Sequence, residues 1–313
     1  MSEILYKLEQ LSPDDPRDFQ AENILPDDYS TPEEYDPRKN LLPIRDQGYQ
    51  GSCVAQSSAC AKELHEKTDI GFNEYMSPQF VYNLRTNQDG DGMYVRDSMK
   101  ILYKYGIVPE YIYPYGKIQK AGEIEQKTLE EAGQYKVLGY AYVNTIHAAK
   151  VAILKHGACC FTVPVYHGGS DMWRPLKQGD VAQGGHAMAL VGWTKDGFIV
   201  RNSWGTNWGD KGYTIFPFKD WGMHGECWTL IDEKSKDPDP RYQRWYWRAW
   251  RGIKNIYTNS WPGCIMFTVA IVGSSSIAIL DPIYSPIPLG FIGFASWWII
   301  KNKAYLIKGD HRG

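Results

Sequence analysis

The chain has 313 residues, 43% hydrophobic and 14% aromatic, with a formal net charge of -2. That length accommodates one domain of roughly 200 residues plus appendages, and the near-zero charge excludes a global basic field that would recruit nucleic acid. The charge is uneven all the same: residues 1–40 hold 11 acidic and 4 basic side chains, whereas residues 241–313 hold 9 Lys or Arg against Asp281 and Asp310.

Residues 1–40 are acidic and broken by proline ("SPDDPRDF", "LPDDYSTPEEYDPRKN"), which reads as an arm that either straps a surface or stays partly disordered, or as a short pro-segment across the cleft that delays activity. The opening "MSEILYKLEQLSPDDPRDF" lacks an apolar signal-type run, so the expected location is cytoplasmic. Six cysteines (53, 60, 159, 160, 227, 264) and no N-x-[ST] sequon fit a reducing compartment.

Residues 41–236 read as the globular domain. From Cys53 to Lys67, the residues Val54, Ala55, Ser58, Ala61 and Leu64 recur at helical spacing, predicting a buried helix that starts at or near Cys53. "SPQFVYNLR" and "VRDSMKILYKYG" predict two more, with Ser77 and Pro78 at the start of one and Gly106 closing the other. After Gly133 the runs "YKVLGYAYVN", "GACCFTVPVY", "HAMALVGWTKDGFIVRNSW" and "GYTIFPF" predict short strands. Helices first and an antiparallel sheet second is an α+β order, with a cleft expected where the halves meet.

Residues 237–313 form a basic, aromatic and apolar tail. "RYQRWYWRAWRGIKN" precedes two uncharged runs, "CIMFTVAIVGSSSIAIL" and "LGFIGFASWWII", with "DPIYSPIP" between them. Residues 261–300 therefore read either as a membrane hairpin with both flanks in the cytosol or as buried strands packed on the domain.

Cys53 itself has three readings: a buried small side chain, a disulfide half, or a nucleophile. A thiol is a useful nucleophile only as thiolate, which a helix N-terminus or an imidazolium favours. The same helix start offers a backbone N–H to an oxyanion, and Gln47 could supply a second donor across Gly48 and Gly51. Among seven histidines, His186 in "QGGHAMALVGW" stands at the start of an apolar strand behind Gly184 and Gly185. Asn202 in "RNSWGTNWGDKGY" could hold its imidazole, with Trp204 shielding that bond from water. Histidines 65, 147, 156, 167, 224 and 311 read as ordinary surface or core residues, and none has metal-ligand spacing with the cysteines.

Together, "QGYQGSC" (47–53), "GHA" (185–187), "RNSWG" (201–205) and "WGDKGY" (208–213) resemble the papain-like cysteine peptidases, over about Leu41 to Asp232. The resemblance implies a two-lobed fold, with a helical left half and an antiparallel β right half. It implies a cysteine endopeptidase acting on peptide or protein substrates, with no cofactor and no metal. Cys53 would be the nucleophile, His186 the base and then the acid, Asn202 the orienter and Gln47 the oxyanion donor. Gly92, Met93, Gly185 and Trp204 would lie along the substrate. Asp232, five after Cys227, would floor the pocket for the second residue before the scissile bond and favour Arg or Lys there.

There are departures from the family pattern. Gln50 and Gly90 stand where many relatives carry a disulfide, Val54 replaces an aromatic residue, and Met93 replaces a glycine. The alternative from another class is a non-catalytic papain-fold scaffold anchored by its tail; the intact Cys53, His186, Asn202 and Gln47 set argues against it.

Overall fold

The computed structural model describes residues 11–13 and 15–232. The chain divides into Met1–Pro240 and Arg241–Gly313, and every described residue belongs to the first unit. The hairpin expected over 261–300, with the rest of the tail, lies outside the described residues; among the described residues no helix is long and apolar enough to cross a membrane.

Helix α1 (Cys53–Ile70) follows Ser52 as its cap and ends at Gly71, whose φ of +67° suits a glycine. Its first fourteen residues, Leu64 apart, are all buried, polar ones included, so it is a central helix and not a one-faced one. Helix α2 (Pro78–Asn83) begins where the Ser77 hydroxyl oxygen accepts the Phe80 N–H at 3.0 Å. Helix α3 (Val95–Lys104) stops just short of Gly106. Two further helices, α4 (Gln126–Ala132) and α5 (Ile146–His156), are additions to the elements expected from the sequence. The second of them is capped by the Thr145 hydroxyl, which accepts the Ala148 N–H.

Strands β1 (Gly139–Tyr142), β2 (Cys159–Pro164), β3 (Gly185–Trp193), β4 (Gly197–Arg201), β5 (Tyr213–Pro217) and β6 (Cys227–Ile231) form one antiparallel sheet in the order β1-β6-β2-β3-β4-β5. Successive side chains of a strand point to opposite faces, and here both faces are covered. Ala187, Ala189, Val191, Cys160 and Ile199 join the core built by α1, α2 and α3. Met188, Leu190, Phe161, Phe198 and Val200 join the second core beneath α5. The α+β order read from the sequence thus becomes two cores separated by one sheet.

The described part of the arm is a strap. Gln20 bridges to Tyr142 and Tyr35 to Trp193, while Ala21 and Leu25 enter the second core. At its far end the Ser12 N–H and hydroxyl donate to the Glu226 carboxylate at 2.8 and 3.0 Å, and Arg96 of α3 pairs with Asp18. The strap therefore touches both halves.

His224 stacks against Trp221 at 4.3 Å and Phe161 at 5.4 Å, and its Nδ1 accepts the Gly222 N–H. Burial pushes its pKa from 6.5 down to about 4. Between those values the unfolded chain binds the extra proton, so this stability is complete above 6.5 and is lost as pH falls towards 4. His224→Phe should flatten the fall in urea midpoint between about pH 6.5 and about pH 4, as measured by tryptophan fluorescence; an unchanged slope would show that His224 does not carry it.

Candidate active site

Two loops from opposite halves are zipped together. The Gln47 N–H donates to the Ser203 carbonyl (2.8 Å), the Gly205 N–H to the Arg45 carbonyl (3.0 Å), and the Ser203 hydroxyl to Gln47 Oε1 (2.7 Å). One N–H of the Gln47 amide donates to the Gln50 carbonyl at 2.9 Å; a primary amide has a second N–H, available to an oxyanion. A Cβ on Gly51 would come within 2.7 Å of the Gly92 nitrogen, so the turn before Cys53 lies on the Gly92 loop, where φ is +79°.

Cys53 is the first residue of α1, where the free N–H groups of the helix favour a negative charge. One turn on, the Ser57 hydroxyl donates to the Met188 carbonyl at 2.7 Å, two residues beyond His186. The start of the helix is thereby fixed against the start of β3. His186 Nε2 bonds Asn202 Oδ1 at 2.7 Å, and the same oxygen accepts the Ser203 N–H at 2.7 Å. With Nε2 so engaged, Nδ1 is the nitrogen left for chemistry. Trp204 lies against the imidazole at 4.2 Å between ring centres and is 6% exposed, which keeps water from the His–Asn bond. Cys53 and His186 are themselves buried, at 0% and 1% exposure.

Burial pulls the His186 pKa from 6.5 to about 4, only partly opposed by the Asn202 bond. A lone imidazole here is neutral at physiological pH, so an imidazolium persists only with a facing thiolate as counter-charge.

Two of the expected substrate residues have partners within the domain. Met93 is 2% exposed and packs in the helical core, where a flexible thioether fills apolar space. Asp232 is not a free carboxylate: its Oδ2 lies 2.7 Å from Lys62 Nζ and 3.4 Å from His65 Nε2. Lys62, 1% exposed, also pairs with Glu66 at 2.6 Å. The Asp232 carboxylate is thus engaged by a buried lysine that it shares with Glu66, where the expectation had it open to a substrate side chain. Gly185, paired with Pro164, opens β3 directly before His186.

The sequence reading missed Tyr115. Its hydroxyl donates to the Gln47 carbonyl (2.8 Å), lies 2.7 Å from the Ser52 hydroxyl and bonds the Gln56 side chain, so one phenol supports both the Gln47 loop and the helix cap. No local pattern marks it. Lys62 and Glu66, in contrast, are spaced i, i+4, a readable pairing signal. Among the described residues no cluster of His, Cys, Asp or Glu could hold a metal.

A family model described as papain family cysteine protease matches residues 31–228. Relatives include an uncharacterized peptidase C1-like protein of Acanthamoeba polyphaga mimivirus, 29% identical over 62% of this chain and 70% of its own. A cysteine protease of Blomia tropicalis is 31% identical over 59% of this chain and 60% of its own. The chain thus spans from three-fifths to seven-tenths of these relatives' lengths. The solved structure of xylellain, a cysteine protease from Xylella fastidiosa, superposes with a TM-score of 0.61 at 24% identity, over 72% of this chain and 96% of that one, a likeness of fold.

Lys62→Met should cost about 3–5 kcal/mol in urea unfolding, because it strands two carboxylates; adding Asp232→Asn should restore part of that, and a mild Lys62→Met would show the pair to be unimportant. In Cys53→Ala, with the counter-charge gone, NMR should find His186 neutral down to well below 6.5, near 4. An ordinary titration at 6.5 would contradict the role assigned to burial.

Proposed function

The chain belongs to the papain family of cysteine proteases, and from that premise we propose that it is an endopeptidase cutting peptide or protein substrates through Cys53. The observation that carries the reading is the 2.7 Å bond from His186 Nε2 to Asn202 Oδ1, which leaves Nδ1 for a nucleophile at the start of the neighbouring helix.

The Cys53 thiolate attacks the scissile carbonyl carbon, and the carbonyl oxygen takes the electron pair. The Cys53 backbone N–H and the second N–H of Gln47 are the donors that this oxyanion would meet. His186 gives its proton to the departing amine and a thioester remains. The imidazole, now neutral, takes a proton from water as its oxygen attacks the thioester. Collapse then frees the acid, leaving thiolate and imidazolium as at the start. Asn202 holds the ring in one orientation throughout, and Trp204 keeps that hold dry. With Asp232 committed to Lys62, an apolar side chain is the better match at the position it was expected to select.

An epoxysuccinyl inhibitor of the E-64 type, followed by mass mapping, should label Cys53, with turnover of dipeptide substrates carrying Phe in the penultimate position exceeding that with Arg. Cys53→Ala and His186→Ala should each lower kcat/KM by roughly 10⁴-fold or more, and Asn202→Ala by less. Activity in Cys53→Ala close to that of the native chain would falsify the nucleophile assignment. Absence of both labelling and turnover would favour a binding role, and added amine that diverts the acyl group would reveal transfer alongside hydrolysis.

A further inference from the structure

Behind Asn202 lies a small polar cavity of about 20 Å³, lined among others by Arg45, Gln56, Arg201 and Asn202. A site of roughly 10–15 Å³ suffices for one water when polar partners surround it. Three of the lining residues each carry a buried polar atom without a hydrogen-bond partner among the described residues: Asn202 Nδ2, Arg45 Nε and Gln56 Oε1. The first two are N–H donors and the third is an acceptor. One water molecule has complementary capacity, two lone pairs for the donors and a proton for the acceptor.

The surrounding structure holds these groups in place. Arg45 is fixed by Glu63 at 2.8 Å, by the Met76 carbonyl at 2.7 Å and by Glu110. Gln56, on the first turn of α1 and 3% exposed, bonds the Tyr115 hydroxyl that also supports Gln47. Asn202 Oδ1 is committed to His186 and the Ser203 N–H. Its amide would be anchored on one side only if Nδ2 had no partner, and an unmet buried donor costs about 1–3 kcal/mol.

We infer that this cavity binds one ordered water joining Asn202 Nδ2, Arg45 Nε and Gln56 Oε1, and that Gln56 is thereby a positioning residue for the His186–Asn202 pair. The water completes a polar path from Tyr115, beneath the oxyanion loop, to the imidazole. Gln56 acts only through Asn202 and does not touch substrate. The role in turnover rests on the peptidase reading above, whereas the water site does not.

The test combines a crystal structure of the full chain, at a resolution that shows waters, with the kinetics of Gln56→Leu and Gln56→Glu. Solvent density within hydrogen-bonding distance of all three atoms is expected. Gln56→Leu should lower kcat roughly tenfold, as expected for one buried donor left unmet, with KM held within about twofold. Its alkaline limb of kcat/KM should move to lower pH, because a looser Asn202 supports the imidazolium less. Gln56→Glu, which keeps an acceptor, should stay within about threefold of the native rate. A dry cavity, or a Gln56→Leu protein that loses thermal stability while kcat and the alkaline limb stay put, overturns the inference. If Gln56→Leu does not fold, the density in the native crystal decides. Native protein without turnover overturns the peptidase reading, and the density still judges the water site.

Discussion

The whole site hangs on the pairing of residues 45–47 with residues 203–205. These hydrogen bonds join the loop before Cys53 to the loop after Asn202, across the boundary between the two halves. Neither loop has a regular element of its own to stiffen it. Each therefore takes its shape from the other, and the partly exposed charges nearby are subordinate to that mutual templating. Gln47, Ser203 and Trp204 are buried within the pairing, so their bonds count for more than they would at the surface.

A second constraint is the amount of charge buried around this seam. Arg45, Glu63 and Glu110 form one group, and Arg201 faces Cys60, whose thiol burial pushes up to about 11. Cys60 is therefore an inert thiol, although it lies two turns of helix from Cys53. Burial also raises the pKa of Glu63, against the pull of Arg45. Such networks cost desolvation energy and contribute uniqueness of arrangement more than stability. Here the arrangement they specify includes the position of Asn202, which lines the same cavity as Arg45, Glu63 and Arg201.

What the sequence disclosed follows the range of its signals. Helices α1, α2 and α3 and strands β1 to β5 were legible because spacing, Ser77-Pro78 and the Gly-bounded runs are local patterns. Helix α5 escaped because its small and apolar residues, "AAKVAIL", look alike on every side. His186 and Asn202 were singled out by their motifs, and the fold hydrogen-bonds one to the other. Tyr115 and the Lys62–Asp232 pair were not, since their partners lie 63 and 170 residues away, where only the folded chain brings them together. Asp232 is the instructive case: position alone suggested an open charge, and a lysine on the far side of the sequence had already answered it.

Strand β3 illustrates how size can do the work usually given to polarity. After Gly185 it has no solvent face at all, so hydrophobicity cannot tell one register from the next. What distinguishes the faces is bulk: Ala187 and Ala189 lie towards α1, Met188 and Leu190 away from it. A slip of one residue would put a methionine and a leucine beneath the helix and lift it off the sheet. The two small alanines after the histidine therefore act as a steric ruler, letting α1 lie close enough to the strand for the Ser57 hydroxyl to reach the Met188 carbonyl.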